Sequence, residues 1–281
     1  MSVPSSGHPL LSVRGLTKTF RPRQGFISRR AHVVRALDAV TLDVPRATTL
    51  GLVSESGSGK STLGRCLIRL VEADSGSIVW TGADGARTEI TSLDANGFRQ
   101  FRRRMQIVFQ DPYHSLNPAR PVWQIVGESL FIQGGVGRGE IRDRAAAMLA
   151  SVGLRTEHLD RLPHEFSGGQ RQRIAIARAL IIEPEFLVCD EVTSALDTRT
   201  QAQVLELLRE IQSRRGITLL FISHDLHAVA AMSSEVVVMH AGRIVERGSP
   251  GRLFSEPAED YTRTLVAAVP HPDPRKRTFR R

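Results

Sequence analysis

Lysine is nearly missing from this chain of 281 residues. Only Lys18, Lys60 and Lys276 occur, so arginine carries almost all of the positive side of a formal net charge of +9. Aromatic side chains make up only 5%, too few for a protein that grips single-stranded nucleic acid by stacking on its bases. Cysteine is limited to Cys66 and Cys189, far apart in the sequence. That excludes a disulfide framework and a CxxC metal site, and fits a reducing compartment. No apolar run approaches the roughly 20 residues that a membrane-spanning helix needs. The best candidate, Ile217 to Ile222, is strand-sized. Met1 to Arg14 lack the apolar stretch of a signal peptide, so secretion is not expected.

What is present is globular in kind, 41% hydrophobic and 24% charged, and long enough to build a core without metal or disulfide. The charge excess is local. Residues 21–35 carry Arg21, Arg23, Arg29, Arg30 and Arg35 with no carboxylate. Residues 271–281 carry Arg275, Lys276, Arg277, Arg280 and Arg281 against Asp273. These two segments account for the whole excess. They read as solvated segments, or as segments drawn to an anionic membrane surface.

Along the chain, Leu11 to Phe20 read as a strand and Arg21 to Arg35 as a loop or insertion. Val40 to Val44 and Thr48 to Val53 follow as strands. Lys60 to Leu70, Phe98 to Arg104, Val122 to Leu130, Glu140 to Val152, Gln170 to Ile182 and Thr200 to Arg214 read as helices. Phe186 to Cys189 and Thr218 to Ile222 are wholly apolar, as in a parallel sheet covered on both faces. Val236 to Val245 reads as a hairpin turning at Ala241 and Gly242. Strands alternating with helices imply an α/β core. The stretch from about Asp111 to Phe166 lacks convincing strands and reads as a helical insertion.

The strongest chemical signal is Ser54-Glu55-Ser56-Gly57-Ser58-Gly59-Lys60-Ser61-Thr62, between an apolar strand and a helix. This is the context of a phosphate-binding loop of Walker A type. Gly57 and Gly59 let backbone N–H groups turn inward around phosphate oxygens, and the helix start adds partial positive charge. Lys60 would reach the β- and γ-phosphates and Ser61 would ligate Mg²⁺. The usual pattern has glycine where this chain has Ser54. A positive φ there would strain a non-glycine residue; an ordinary φ would make the change nearly neutral. Phe186 to Glu191 is an apolar strand ending in two carboxylates, a Walker B arrangement. Asp190 is placed for the Mg²⁺ shell and Glu191 for activating water as general base. Ser167 with Gln170 makes a capping-box pattern at a further helix start, a second anion site.

Ser167-Gly168-Gly169-Gln170, about a hundred residues after the phosphate loop and just before Walker B, is the ABC signature. The chain therefore resembles an ABC transporter ATP-binding subunit over about residues 9–270. The resemblance implies an α/β P-loop NTPase (RecA-like) core with an antiparallel β-subdomain and an inserted helical subdomain. The expected organisation is an ATPase domain over 9–254, helical subdomain about 111–170, and a C-terminal extension and basic tail over 255–281. It further implies Gln110 as the Q-loop residue touching Mg²⁺ and the catalytic water, Asp197 as the end of the D-loop, His224 as the switch histidine and Phe20 as the aromatic stacked on adenine. Two subunits would sandwich two ATP molecules, the loop around Lys60 facing Ser167 and Gly169 of the other subunit.

Asp111 to Pro118 and Pro257 to Arg263 are similar to the oligopeptide/dipeptide importer branch, which also includes nickel importers. Implied partners are two transmembrane permeases, a second ATPase subunit, and indirectly an extracytoplasmic binding protein, at the cytoplasmic face of the membrane. Nucleic acid is not expected as a partner. Val192 stands where the family usually has proline. The alternatives are a soluble ABC ATPase acting on nucleic acid or ribosomes, and a regulatory ATP-binding subunit with weakened hydrolysis.

Overall fold

The computed structural model describes residues 8–21 and 33–268. Most of the arginine-rich insertion, Val269 and Pro270, and the basic tail therefore lie outside the described residues. Within them the strands are β1 (Leu11–Phe20), β2 (Val34–Val44), β3 (Thr49–Val53), β4 (Ser75–Thr81), β5 (Arg87–Glu89), β6 (Met105–Val108), β7 (Phe186–Asp190), β8 (Thr218–Ser223), β9 (Glu235–His240) and β10 (Arg243–Gly248). Two sheets result: an antiparallel one in the order β2-β1-β4-β5, and a larger one in the order β10-β9-β3-β8-β7-β6. The larger sheet is parallel except for β10, which pairs antiparallel with β9 at one edge.

The larger sheet is covered on both faces, which explains why β3, β7 and β8 are buried at every position. Strand side chains alternate between faces. Leu187, Cys189, Leu219, Phe221, Val236 and Val238 join the core with the helices of the 111–180 region. Leu50, Leu52, Val188, Leu220, Ile222 and Val237 join the core with the antiparallel sheet. Between β6 and β7 no strand occurs among the described residues.

Several elements differ from expectation. β2 begins at Val34 rather than Val40, so Arg35 belongs to a strand, opposite Thr19. It is an edge strand whose first two residues, Val34 and Arg35, are exposed, so no buried apolar position marks it until Leu37. Arg35 is also ion-paired with Asp38 at 2.9 Å. The basic helix runs Ala95–Phe101 because Asp94 caps it, accepting the Gly97 N–H at 2.7 Å. The expected helix over 122–130 is two, Val122–Val126 and Glu128–Gln133. The break is at Gly127, where a Cβ would collide with the side chain of Ile141. The polar β5 was not foreseen.

Candidate functional site

Parallel register brings the expected residues to one edge of the larger sheet. Val53 pairs with Ser223, Ile222 with Asp190 and Cys189 with Val108. The carboxyl ends of β3, β8, β7 and β6 therefore lie together, and the loops leaving them carry Ser54, His224, Glu191 and Gln110. Ligands of open α/β sheets bind at this edge.

The phosphate loop leaves β3 and turns through Gly57 (φ +82°) and Gly59 (φ +105°) into the helix Lys60–Leu67. Glycine is required at 59 twice over: by its φ, and because a Cβ would collide with the backbone oxygen of Ala36. Ser54 is not in the left-handed region, so serine there carries no backbone strain. It is 1% exposed, and its hydroxyl lies against the Ser58 hydroxyl. The buried Lys60 ammonium donates to Ser54 O (2.8 Å), Ser54 Oγ (2.9 Å) and Glu55 O (2.9 Å). An ammonium has three donors, so all are engaged within the loop. Burial pushes the Lys60 pKa down, against the opposing pull of Glu191, Asp190 and Glu55.

Ser61, the next residue, donates through Oγ to Asp190 Oδ1 at 2.8 Å. Asp190 ends β7 and is 2% exposed. Burial raises its pKa, while the Ser61 hydroxyl and Arg65, 3.8 Å away, act the other way. Glu191 follows in the left-handed region (φ +49°), its N–H bound to Ile222 O at 3.0 Å. A non-glycine residue in this conformation costs of order 1–3 kcal/mol, so the strain falls on the residue expected to act as base. Glu191 Oε2 is 3.5 Å from His224 Nδ1, and His224 is largely exposed. Val192 is buried in the core shared with the helical insertion. Gln110 is exposed and forms no side-chain hydrogen bond among the described residues.

Ser167 caps the helix Gly168–Leu180. Its Oγ accepts the Gln170 N–H at 3.3 Å, and Gln170 Oε1 accepts the Ser167 N–H at 3.0 Å. Ser167 and Gly168 are exposed, whereas Gly169 faces Thr200, whose methyl an added Cβ would strike. Asp197 caps the neighbouring helix Thr198–Arg215, accepting from Thr200 N (3.0 Å) and Thr200 Oγ1 (2.6 Å). The signature and Asp197 thus form one surface. Among the described residues no hydrogen bond or ion pair links it to the phosphate loop. Phe20 ends β1, is 43% exposed, and has Lys18 Nζ 5.7 Å from its ring centre. It too is not tied to the phosphate loop.

Two loop contacts escaped the sequence reading. Gly242 N–H donates to Ser58 O at 3.0 Å. Tyr261 Oη accepts the Glu55 N–H at 3.1 Å. Tyr261 lies in the 257–263 stretch, which drew notice only for its likeness to a transporter branch; nothing in that stretch signals that it returns to the phosphate loop.

Residues 37–194 match the family described as ABC transporter. A putative peptide import ATP-binding protein of Brucella ovis is 47% identical over 97% of this chain and 82% of its own length. The glutathione import ATP-binding protein GsiA of Salmonella paratyphi A is 46% identical over 98% of this chain, which spans 43% of that relative. Among solved structures, cbiO1 of Clostridium perfringens, part of the ABC transporter complex cbiONQ, superposes with a TM-score of 0.74 at 29% identity, covering 89% of this chain and 92% of that one. A dimeric ATP-binding cassette in a post-hydrolysis state, bound to ADP and Pi, gives 0.72 at 26% identity, over 85% and 98%.

Proposed function

The chain belongs to the ABC transporter family of ATPases, and from that premise we propose that it is the ATP-hydrolysing subunit of an importer whose cargo is peptide. The observation that carries the cargo class is the 47% identity over 97% of the chain to a putative peptide import ATP-binding protein. The glutathione-import relative, named for a tripeptide, points the same way. The helical insertion is the face offered to two permease subunits at the inner side of the membrane. No helix of the described residues is long and apolar enough to cross a membrane, so the membrane path belongs to those partners.

In this reading ATP enters along the strand-end edge, and its phosphates draw Lys60 away from the Ser54 and Glu55 oxygens. The Gly57-to-Thr62 backbone supplies converging N–H donors. The Ser61 hydroxyl and the Asp190 carboxylate are hard oxygen donors already adjacent, and Asp190 is a buried acid whose one ion pair, with Arg65 at 3.8 Å, is long, so the pair suits Mg²⁺. When bound, that ion neutralises charge on the β- and γ-phosphates. Glu191 takes a proton from the attacking water, and His224, beside Glu191, donates toward the γ-phosphate. Gln110 orients the water from the neighbouring strand end. Phe20 packs against adenine. Ser167, Gly168, Gly169 and Gln170 of a second ATPase subunit close over the same ATP, with Asp197 at the junction. The cassette whose structure is dimeric with ADP and Pi supports this arrangement. Hydrolysis then removes the γ-phosphate contacts and separates the pair.

The test is co-purification of the full chain with its permeases, followed by ATP turnover in proteoliposomes with the binding protein. Stimulation by di- to oligopeptides is expected. Stimulation by a metal ion or another solute but by no peptide would overturn the cargo assignment.

A further inference from the structure

The helix Asp260–Ala267 returns to the phosphate loop from the far end of the chain. In its first turn Tyr261 accepts the Glu55 N–H through Oη at 3.1 Å. The tyrosine ring lies on the His240 imidazole, with centroids 3.9 Å apart and planes 34° from parallel. His240 ends β9, and Gly242, in the turn that follows, holds Ser58 O. Tyr261 and the hairpin turn therefore form one stacked unit that grips the loop at two points, Glu55 and Ser58. Lys60 holds the loop from within at Ser54 and Glu55.

The tyrosine is held in place. Glu246 of β10 accepts the N–H of Ala258 at 2.8 Å and of Glu259 at 3.2 Å. Arg263 Nη1 donates to the oxygens of Pro257 and Ala258, both at 2.8 Å. Thr262, next to the tyrosine, is fully buried. The helix thus has a fixed seat on the β9–β10 hairpin. The Glu55 N–H is an exposed loop donor outside helix and sheet, and the phenol oxygen is its partner.

We propose that Tyr261 is a positioning residue for nucleotide binding: its hydroxyl fixes the leading half of the phosphate loop, making the C-terminal helix a working part of the ATP site. The inference rests on the reading of this loop as the ATP site. Backbone donors bind phosphate best when they already converge, because less ordering remains to be done on binding. When Lys60 moves to the phosphates, the loop loses the three ties that the ammonium made, and the outer ties at Glu55 and Ser58 remain to keep it in shape.

The test compares the full chain with Tyr261→Phe, which keeps the ring on His240 and removes only the hydroxyl. MgATP affinity should fall roughly three- to tenfold, as for loss of one net hydrogen bond. Turnover at saturating MgATP should be unchanged. Amide hydrogen exchange in the nucleotide-free chain should quicken at residues 55–58 and nowhere else, with no drop in Tm. Unchanged affinity and unchanged exchange would overturn the proposal. So would a lowered Tm with exchange quickened throughout, since Tyr261 would then serve packing alone. If the unaltered chain bound no MgATP, the reading of the loop would fall, while the exchange measurement would still report on the Tyr261 contact.

Discussion

The two helix starts that the proposed function assigns to the phosphates of ATP differ in how finished they are. The one at Lys60 is closed on itself: its cation is buried, all three ammonium donors are used, and Ser61 is bound to Asp190. The one at Gly168 is open: Ser167 and Gly168 face solvent, and the cap involves only Ser167 and Gln170. Both starts present N–H groups and the positive end of a helix. The difference is that the first carries a full charge, which in a buried setting must be hydrogen-bonded at all times. The second carries only dipoles, which water satisfies. A surface of that kind has little affinity for a polyphosphate alone and gains it when a second, charged surface brings the phosphate to it. The asymmetry is what a nucleotide-clamped dimer requires.

The largest expected effect belongs to the closed half. Glu191→Gln should cut ATP turnover by about 10²–10⁴-fold, the range for loss of a general base, while leaving MgATP affinity near that of the unaltered chain. Turnover within tenfold of normal would remove Glu191 from the role of base and would leave its left-handed backbone without a functional explanation. Next is Gly169→Ala in the open half. The added methyl would displace Thr200, whose hydroxyl and N–H are both held by Asp197. ATP-driven dimerisation should weaken by roughly tenfold or more, about 1.4 kcal/mol, with ATP binding to the single chain unchanged. Equal loss of both would mean that the two helix starts do not act separately.

What could be read in advance follows from the same contrast. The phosphate loop, the β7 carboxylates and the Ser167–Gln170 cap were legible because their chemistry is local: glycines, a lysine and a helix start within nine residues. Strands β3, β7 and β8 were legible because burial on both faces leaves a solid apolar run. The two edges of the antiparallel sheet were not. β5 is polar throughout, and the first residues of β2 are exposed, so neither carries a hydrophobic period. Contacts between distant segments were also hidden. Tyr261 and Glu55 are 206 residues apart, and no local pattern encodes their meeting. For Ser54 the sequence posed a question of backbone conformation, and the φ values answered it.

The buried acid of the closed half gives a pH-dependent prediction. Burial raises the Asp190 pKa above its unfolded value. Below the ordinary carboxylate range both folded and unfolded chains hold this proton, and Asp190 costs the fold nothing. As pH rises through the raised folded pKa, the unfolded chain has already released its proton, the folded chain is forced to follow, and stability falls. Asp190→Asn should therefore raise the Tm of the nucleotide-free chain at neutral pH, by about 2–4 °C for each kcal/mol recovered. The gain should vanish toward pH 3. The same variant should lose the stimulation of ATP binding by Mg²⁺. A Tm that falls at neutral pH would mean that the ionised carboxylate, through Ser61 and Arg65, is a net support of the resting site.

The smallest expected effect concerns Ser54, the residue that most distinguishes this loop from the usual pattern. Its backbone oxygen would remain as a Lys60 acceptor whatever the side chain, but its hydroxyl adds a further one. Lys60 has only three donors, so the phosphates can be reached only by giving up acceptors within the loop. The hydroxyl therefore stabilises the resting lysine more than the nucleotide-bound one. Ser54→Ala removes it without backbone strain, since φ is ordinary at this position. A net hydrogen bond to a charged group is worth about 1.5–3 kcal/mol. The Ser54 carbonyl and Glu55 carbonyl recover part of that by closer approach, so ATP should bind roughly two- to fivefold more tightly in the variant. Weaker binding would reverse the assignment: the hydroxyl would then aim the lysine at the phosphates rather than hold it back, and the closed half would be preorganised instead of self-restrained.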